Sequence, residues 1–319
     1  MHKPKQKHVA GFFLSLTAAF LWGVLPIALK ELLAGMDATT VVWYRFIIAG
    51  VVLWFWLAAS NKLPEKIYFN KQTVFFLILA TLGLSCNYFF FAYSLYFVNA
   101  ETSEAVIQLS TLFLILGGVL IYKESFIPLQ KIGACLLIMG LALFFNDRLQ
   151  EFVHFSNRET IGVLLLLIAA ISWTVYALIQ KQLLVSFSSV QILSLIYLFS
   201  ALILLPFTSP LSIFQLSQTE IVLLLFCGLN TLVAYGCFAE ALNCWDASRV
   251  SAVLTLAPLF TIASLKILVI VYPTYQHTDR LGLISIIGAL LLVIGSILTA
   301  LAPSIKIAWK NSSFSVSKN

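Results

Sequence analysis

The stretch GFFLSLTAAFLWGVLPIALKELL, residues 11–33, occurs a second time in this chain in altered form. It aligns without gaps with GVLLLLIAAISWTVYALIQKQLL, residues 162–184, and the alignment pairs Trp22 with Trp173. The glycine, alanine and lysine positions around the tryptophan also agree. Two long apolar segments half a chain apart therefore share one pattern, which indicates that the chain arose by duplication.

The composition places this chain in a lipid bilayer. Hydrophobic residues make up 61% of it, charged residues 10%, and the mean hydropathy is +0.99. A soluble domain carries about 25% charged residues. The net charge of +6 does not indicate nucleic-acid binding, because the basic residues lie between apolar segments, where membrane orientation explains them.

Ten apolar segments are long enough to be predicted as membrane spans. A cytoplasmic N-terminus leaves few basic residues on the outer side, so the positive-inside rule predicts that both termini are cytoplasmic. We expect the first span to be retained, because its internal copy cannot be a signal peptide. The predicted spans are residues 11–30, 40–59, 74–97, 104–122, 131–147, 162–181, 190–207, 221–242, 251–272 and 282–302.

The duplication continues beyond the first span. Residues 87–113 match residues 234–260, and residues 123–140 match residues 278–295. Each copy holds five spans, and an odd number means that the second copy enters from the opposite face. The predicted fold is an all-α integral membrane protein of ten transmembrane helices in two inverted five-helix repeats. The repeats cover residues 1–148 and 149–302, and residues 303–319 form a short cytoplasmic tail.

Four short motifs resemble those of the EamA-type transporters of the drug/metabolite transporter superfamily. They are Trp22-Gly23, Tyr44-Arg45-Phe46, the Ala-Tyr-Ser-Leu that ends the third span, and Lys123-Glu124. The resemblance covers residues 11–302. It implies a bacterial inner-membrane protein that exports small metabolites, such as amino acids or related compounds, by alternating access between its halves.

A substrate site is expected between the halves, near the midplane. Tryptophan and tyrosine within spans are suited to an aromatic wall, and buried amides need a polar partner or water. Helix packing and interhelical hydrogen bonding remain the alternatives for each. The candidate cavity-lining residues are Trp22, Asn87, Tyr88, Gln108, Trp173, Tyr176 and Tyr235.

Charges and prolines within spans are candidates for gating, coupling and hinges. Arg45 is expected to be a structural ion pair or an interface anchor, with attraction of a carboxylate as the alternative. Glu240 is either a proton-coupling site or a gate residue, and Lys266 either snorkels or pairs. Pro26 and Pro258 are hinge candidates, because proline frees a backbone carbonyl.

Glycines seven residues apart in the fifth and tenth spans allow close helix approach. They either bury within the monomer or form a homodimer interface; they are Gly133, Gly140, Gly288 and Gly295. The five cysteines show no metal or disulfide spacing and are interpreted as packing residues.

The expected function is therefore transport of a small-molecule substrate, with protons as a candidate coupling ion and with no cofactor or metal. The alternatives are drug or xenobiotic efflux, nucleotide-sugar or phosphometabolite exchange, and a non-transporting scaffold. Nucleotide sugars need several cationic groups, and only Arg45 and Lys266 lie within spans. An enzyme is not expected, because all four histidines lie outside the spans and catalytic motifs are absent from the sequence.

Overall fold

The computed structural model describes residues 8–123, 127–146, 157–244, 247–279 and 281–316. Over these residues the regular structure is helical throughout, as the all-α prediction requires. Short 3₁₀ turns lie at residues 66–68, 205–207 and 210–215. The α-helices are α1 (His8–Leu32), α2 (Ala38–Ala59), α3 (Lys71–Ser94), α4 (Ala100–Ile107), α5 (Leu109–Tyr122), α6 (Pro128–Phe144), α7 (Arg158–Leu183), α8 (Ser189–Leu204), α9 (Gln218–Cys244), α10 (Ala247–Leu254), α11 (Ala257–Val271) and α12 (Leu283–Val316).

The helices have the length and hydropathy of membrane-spanning segments. In the described part of the chain, eight helical segments are long and apolar enough to cross a bilayer. Two of these segments are the α4–α5 pair and the α10–α11 pair, each taken as one unit. The apolar helices Pro128–Phe144 and Leu283–Thr299 are shorter. The chain is therefore an all-α integral membrane protein.

Two predicted spans are interrupted helices rather than continuous ones. The span predicted at 104–122 begins earlier, at Ala100, and breaks at Gln108, between α4 and α5. The span predicted at 251–272 breaks between α10 and α11, where Pro258 occupies the first turn of α11. Proline lacks an N–H and suits a helix start. Broken backbone is tolerated at membrane depth only where protein or a cavity surrounds it.

Helix α6 packs along α12 through the four glycines identified in the sequence. A Cβ atom built on Gly133 would lie 2.7 Å from the carbonyl oxygen of Gly295, and one built on Gly288 would lie 2.7 Å from that of Gly140. The backbones are in direct contact, which only residues without a side chain permit. The glycine face is therefore buried within the chain and is not available as a dimer interface.

The other extensive helix contacts join the two halves of the chain. Helix α3 packs against α7, α1 against α9, and α2 against α8. Glycines again allow the closest approaches: a Cβ on Gly83 of α3 would lie 3.0 Å from the Ser172 carbonyl oxygen of α7. A Cβ on Gly23 of α1 would lie 2.6 Å from the Ala257 carbonyl oxygen of α11. The halves thus interlock rather than forming separate bodies.

The predicted tail, residues 303–319, is largely helical, because α12 continues to Val316. The sequence after Pro303 contains no glycine and includes Ile, Lys, Ala and Trp, which sustain a helix. The helix therefore continues past residue 302, the end of the predicted span.

Asp37 caps α2, and its side chain Oδ1 accepts a hydrogen bond of 3.0 Å from the backbone N–H of Thr40. We expect Asp37→Ala to lower the free energy of unfolding by about 1 kcal/mol, because a helix N–H loses its acceptor. Asp37→Asn retains the acceptor and serves as the control. Thermal unfolding in detergent measures both, and equal losses in the two variants would contradict the capping role.

Candidate functional site

A cavity of about 240 Å³ lies between helices from both halves of the chain. Its wall is formed by α1 to α5 of the first half and by α7, α9, α10 and α11 of the second. Both helix breaks contribute to it, through Gln108 and Thr255. The interrupted backbone therefore lies where irregular structure is expected at membrane depth, beside a cavity.

Aromatic rings form one side of this cavity. The ring of Trp22 lies 5.2 Å from that of Tyr235 and 5.8 Å from that of Phe238, measured between centroids. Trp173, the repeat partner of Trp22, also lines the cavity. The two paired tryptophans are thus brought to one space, from α1 and α7. Such a wall favours apolar and cationic groups.

Arg45 is buried in the cavity wall, with 3% of its surface exposed. Its Nε donates a hydrogen bond of 3.1 Å to Thr231 Oγ1, and its guanidinium carbon lies 4.4 Å from the centroid of the Tyr88 ring. No carboxylate among the residues described forms an ion pair with it. The expectation of a structural ion pair or an interface anchor was therefore wrong, because Arg45 faces inward from α2 instead of reaching the membrane surface.

Two buried asparagines tie helices of the two halves together. Asn87 donates from Nδ2 to the carbonyl oxygen of Ala169 at 3.0 Å, which joins α3 to α7. Asn230 does the same between α9 and α1, with 2.6 Å from Nδ2 to the Leu21 carbonyl oxygen. Because Asn87 also lines the cavity, both alternatives for it, interhelical bonding and cavity lining, agree with its position.

Glu104 on α4 is a cavity residue that the sequence analysis missed. It is 5% exposed, and it makes no hydrogen bond or ion pair with any residue that the structure describes. The predicted span began at this residue, and Glu104 was not among the candidate cavity residues. The signal was available: Glu104, Gln108 and Thr111 follow helical spacing, and all three line the cavity.

Three predicted site residues lie elsewhere. Tyr176 is 2% exposed and belongs to the hydrophobic core, where it packs against Gly83 on the α3–α7 contact rather than lining the cavity. Glu240 is exposed near the end of α9, where Cys244 Sγ lies 3.8 Å from its Oε1. Lys266 is exposed on α11. Helical spacing alone did not reveal which face each helix presents.

A polar cluster lies beyond the cavity, at the end of the bundle where α1 ends and α2 begins. We call this end the Lys30 end. Thr278 Oγ1 and the Asp279 N–H donate to Glu101 Oε1 at 2.5 and 3.1 Å, and Thr102 Oγ1 donates to Asp279 Oδ2 at 2.6 Å. Lys30 Nζ donates to the carbonyl oxygens of Leu95 and Val98. The bonds of Glu101 and Thr102 join α4 to the segment before α12, and those of Lys30 join α1 to the turn between α3 and α4.

The described residues contain no group of three or more His, Cys, Asp or Glu side chains that could hold a metal. All five cysteines are unpaired, and Cys227 and Cys244 are buried. The carboxylate of Glu124, which the repeat aligns with Asp279, lies outside the described residues.

Comparison with known proteins agrees with this architecture. A solved structure titled "Crystal structure of protein" superimposes with a TM-score of 0.63 at 18% identity, over 92% of this chain and 97% of that one. This likeness concerns the fold alone. An "Uncharacterized transporter" of Haemophilus influenzae is 41% identical over 93% of this chain and 96% of its own length.

Two further relatives come from Escherichia coli K12. The "Uncharacterized inner membrane transporter YhbE" is 39% identical over 93% of each chain. A "Probable amino-acid metabolite efflux pump" is 24% identical over 88% of this chain and 92% of its own length. The model of the EamA-like transporter family matches residues 9–146 and again residues 160–301. The chain therefore belongs to the EamA-like transporter family.

Proposed function

We propose that this chain is a secondary transporter that exports small, amino-acid-like metabolites by alternating access. The observation that carries the proposal is the cavity between the halves, which holds a buried guanidinium, Arg45, and a buried carboxyl, Glu104, within an aromatic wall. Neither group forms an ion pair with a residue that the structure describes, and buried charges without a counter-charge are costly in a membrane. A substrate that carries charges of both signs would compensate both.

We further propose ten membrane helices in two inverted repeats, residues 1–148 and 149–302. The helix contacts support this, because exchanging the halves turns the α3–α7 contact into the α9–α1 contact. The same exchange maps the α6–α12 and α2–α8 contacts onto themselves. The two separate ranges matched by the family model also support it. We also propose cytoplasmic termini, which the basic residues between spans support, in a bacterial inner membrane, which the relative YhbE supports.

The size of the cavity favours a small metabolite. Pockets for drug-sized ligands hold about 300–1,000 Å³, whereas this one holds about 240 Å³. Arg45 offers a donor fork suited to a carboxylate. The relative named as an amino-acid metabolite efflux pump points to the same class.

Xenobiotic efflux is the second candidate, and the aromatic wall around Trp22 favours it. Exchange of nucleotide sugars or phosphometabolites has less support. Arg45 is the single basic side chain among the described residues of the cavity wall, and phosphate groups need several cationic partners.

Pro26 and Pro258 are proposed hinges for the opening of this cavity. Pro26 lies inside α1 and leaves the carbonyl of Trp22 without its intrahelical hydrogen bond, whereas Pro258 lies in the first turn of α11, directly after the helix break that follows Leu254. Trp22 and Leu254 both line the cavity. A bend at either proline would therefore change the shape of the substrate site.

The experiment is efflux of an amino-acid and nucleoside panel from proteoliposomes, with a Trp22→Ala, Trp173→Ala double variant beside the wild type. We expect the double variant to lose about tenfold or more of the flux, because each ring removed costs about 1 kcal/mol or more of binding. Trp56→Ala, at an exposed position of α2, is the matched control. Equal flux in all three proteins would contradict an aromatic substrate site.

A further inference from the structure

Among the described residues of the cavity wall, one carries a carboxyl group, Glu104, and the family assignment does not explain its role. Glu104 lies on α4, one turn beyond Glu101 of the Lys30 end. The two carboxyl groups differ in their surroundings. Glu101 accepts hydrogen bonds from Thr278 and Asp279, whereas Glu104 has no hydrogen-bond partner among the described residues.

An unpartnered carboxyl in a buried, aromatic-walled space has two stable conditions. It is neutral when it holds a proton, and it is compensated when a cation from the cavity binds it. A free carboxylate in the same place is costly. A proton and a cationic ligand therefore compete for Glu104.

Arg45 does not fill the role of that cation. It lies on α2, where it is held by Thr231 Oγ1 and the Tyr88 ring, and it forms no ion pair with Glu104. The other titratable side chains among the described residues of the cavity wall are Tyr88 and Tyr235. The described side chains of α1, α5, α7, α10 and α11 add none to the wall. On α6, which also contacts α4, Lys131 is exposed in the first turn, close to the end of α5.

We propose that Glu104 is the site at which a proton and the ammonium group of the substrate displace each other, so that the protein exchanges one proton for each substrate molecule. This rests on the proposed export function. On the cytoplasmic side, protonated Glu104 releases its proton to water as the ammonium group binds. On the outer side the ammonium group leaves and a proton from water takes its place. One zwitterion leaves and one proton enters, so each cycle moves one positive charge inward.

The first test measures binding without transport. Dicyclohexylcarbodiimide modifies protonated carboxyl groups in apolar surroundings, and peptide mass spectrometry locates the product on the full-length protein in detergent. We expect labelling of Glu104 to fall as the pH is raised, because only the protonated carboxyl reacts and a higher pH removes its proton. The common L-amino acids are then compared with their matched amines and matched carboxylic acids. For at least one amino acid, both the amino acid and its matched amine should protect Glu104 from labelling, while the matched carboxylic acid should not.

The second test measures coupling. In proteoliposomes that show flux of a panel compound, with the membrane potential held at zero, an imposed gradient of one pH unit should support about a tenfold concentration ratio of that compound. Glu104→Gln should reduce that ratio to about onefold, because the amide takes up no proton. Glu65→Gln, at an exposed carboxyl between α2 and α3, should behave as wild type. Elution of each variant as a single detergent-solubilised species excludes misfolding as the cause.

Several outcomes overturn the proposal. They are an unlabelled Glu104 across the pH range, labelling that no ammonium compound reduces, and flux that keeps its pH dependence in Glu104→Gln. Protection of Glu104 without flux of any compound would instead contradict the export function and leave the binding site supported. Failure of this proposal and failure of the proposed function are thus distinguishable.

Discussion

Gly288→Leu is expected to prevent stable folding, and Gly288→Ala to lower the free energy of unfolding by about 1–3 kcal/mol. A Cβ on Gly288 would lie 2.7 Å from both the Gly140 carbonyl oxygen and the Leu143 carbonyl carbon, and it would also overlap the Phe144 nitrogen. All three obstacles are backbone atoms, which cannot rotate away as a side chain can. Helices α6 and α12 must therefore move apart to accept even one methyl group.

Gly236→Ala is the matched control, because a Cβ on Gly236 meets no atom within 4 Å. Both glycines lie inside helices, so both substitutions bring the same gain in helix propensity, about 1 kcal/mol. Thermal unfolding in detergent and the yield of monodisperse protein provide the readouts. If Gly288→Ala matched Gly236→Ala in stability, the close α6–α12 crossing would be wrong.

The α6–α12 crossing shows how far sequence spacing alone can be taken. The seven-residue separation of the glycines predicted a close helix contact, and that contact exists. The spacing could not distinguish a partner helix within the chain from one in a second copy, because close approach of two helices requires small residues in both cases. The structure places α6 beside α12, and any homodimer must use another surface.

The cavity was partly predictable for a similar reason. Tryptophan and tyrosine usually collect at the membrane interfaces, so their occurrence in the middle of spans predicted a different role. Three of these residues do lie in the cavity wall: Trp22, Trp173 and Tyr235. Tyr176 shares a helical face with Trp173 by spacing, yet it packs into the α3–α7 contact. One helix face can serve both a cavity and a packing surface, and spacing does not show where one ends.

Glu104 was missed because a helix boundary was set too late. Hydropathy falls over the polar segment around residues 99–104, so the predicted span began at Glu104, although α4 begins at Ala100. The polar residues of α4 stay inside because they face the cavity or the cluster around Asp279. Hydropathy depends only on the composition of a local segment. It therefore does not show that these polar residues are buried by residues distant in the sequence.

Arg45→Ala is expected to reduce export of carboxylate-bearing compounds by about thirtyfold or more, because truncating one partner of a buried charge pair costs about 2–5 kcal/mol. Arg45 is held by Thr231 and the Tyr88 ring, and the rest of its guanidinium is directed to the substrate space in the proposed mechanism. Arg45→Lys keeps the charge but lacks the planar donor fork, so we expect it to restore activity only in part.

Arg158→Ala separates this effect from a general loss of positive charge. Arg158 is exposed at the Lys30 end, where its Nη2 donates to the Tyr96 carbonyl oxygen at 3.1 Å and its guanidinium carbon lies 5.8 Å from the centroid of the Phe97 ring. It matches Arg45 in residue type and in having an aromatic neighbour, but it lies outside the cavity.

The measurement compares proteoliposome flux of an amino acid with that of its decarboxylated amine. Arg45→Ala should abolish the first far more than the second, whereas Arg158→Ala should leave their ratio unchanged. An equal loss of both compounds in Arg45→Ala would assign Arg45 to the stability of the α2–α9 contact through Thr231, and would remove the basis for a carboxylate-bearing substrate.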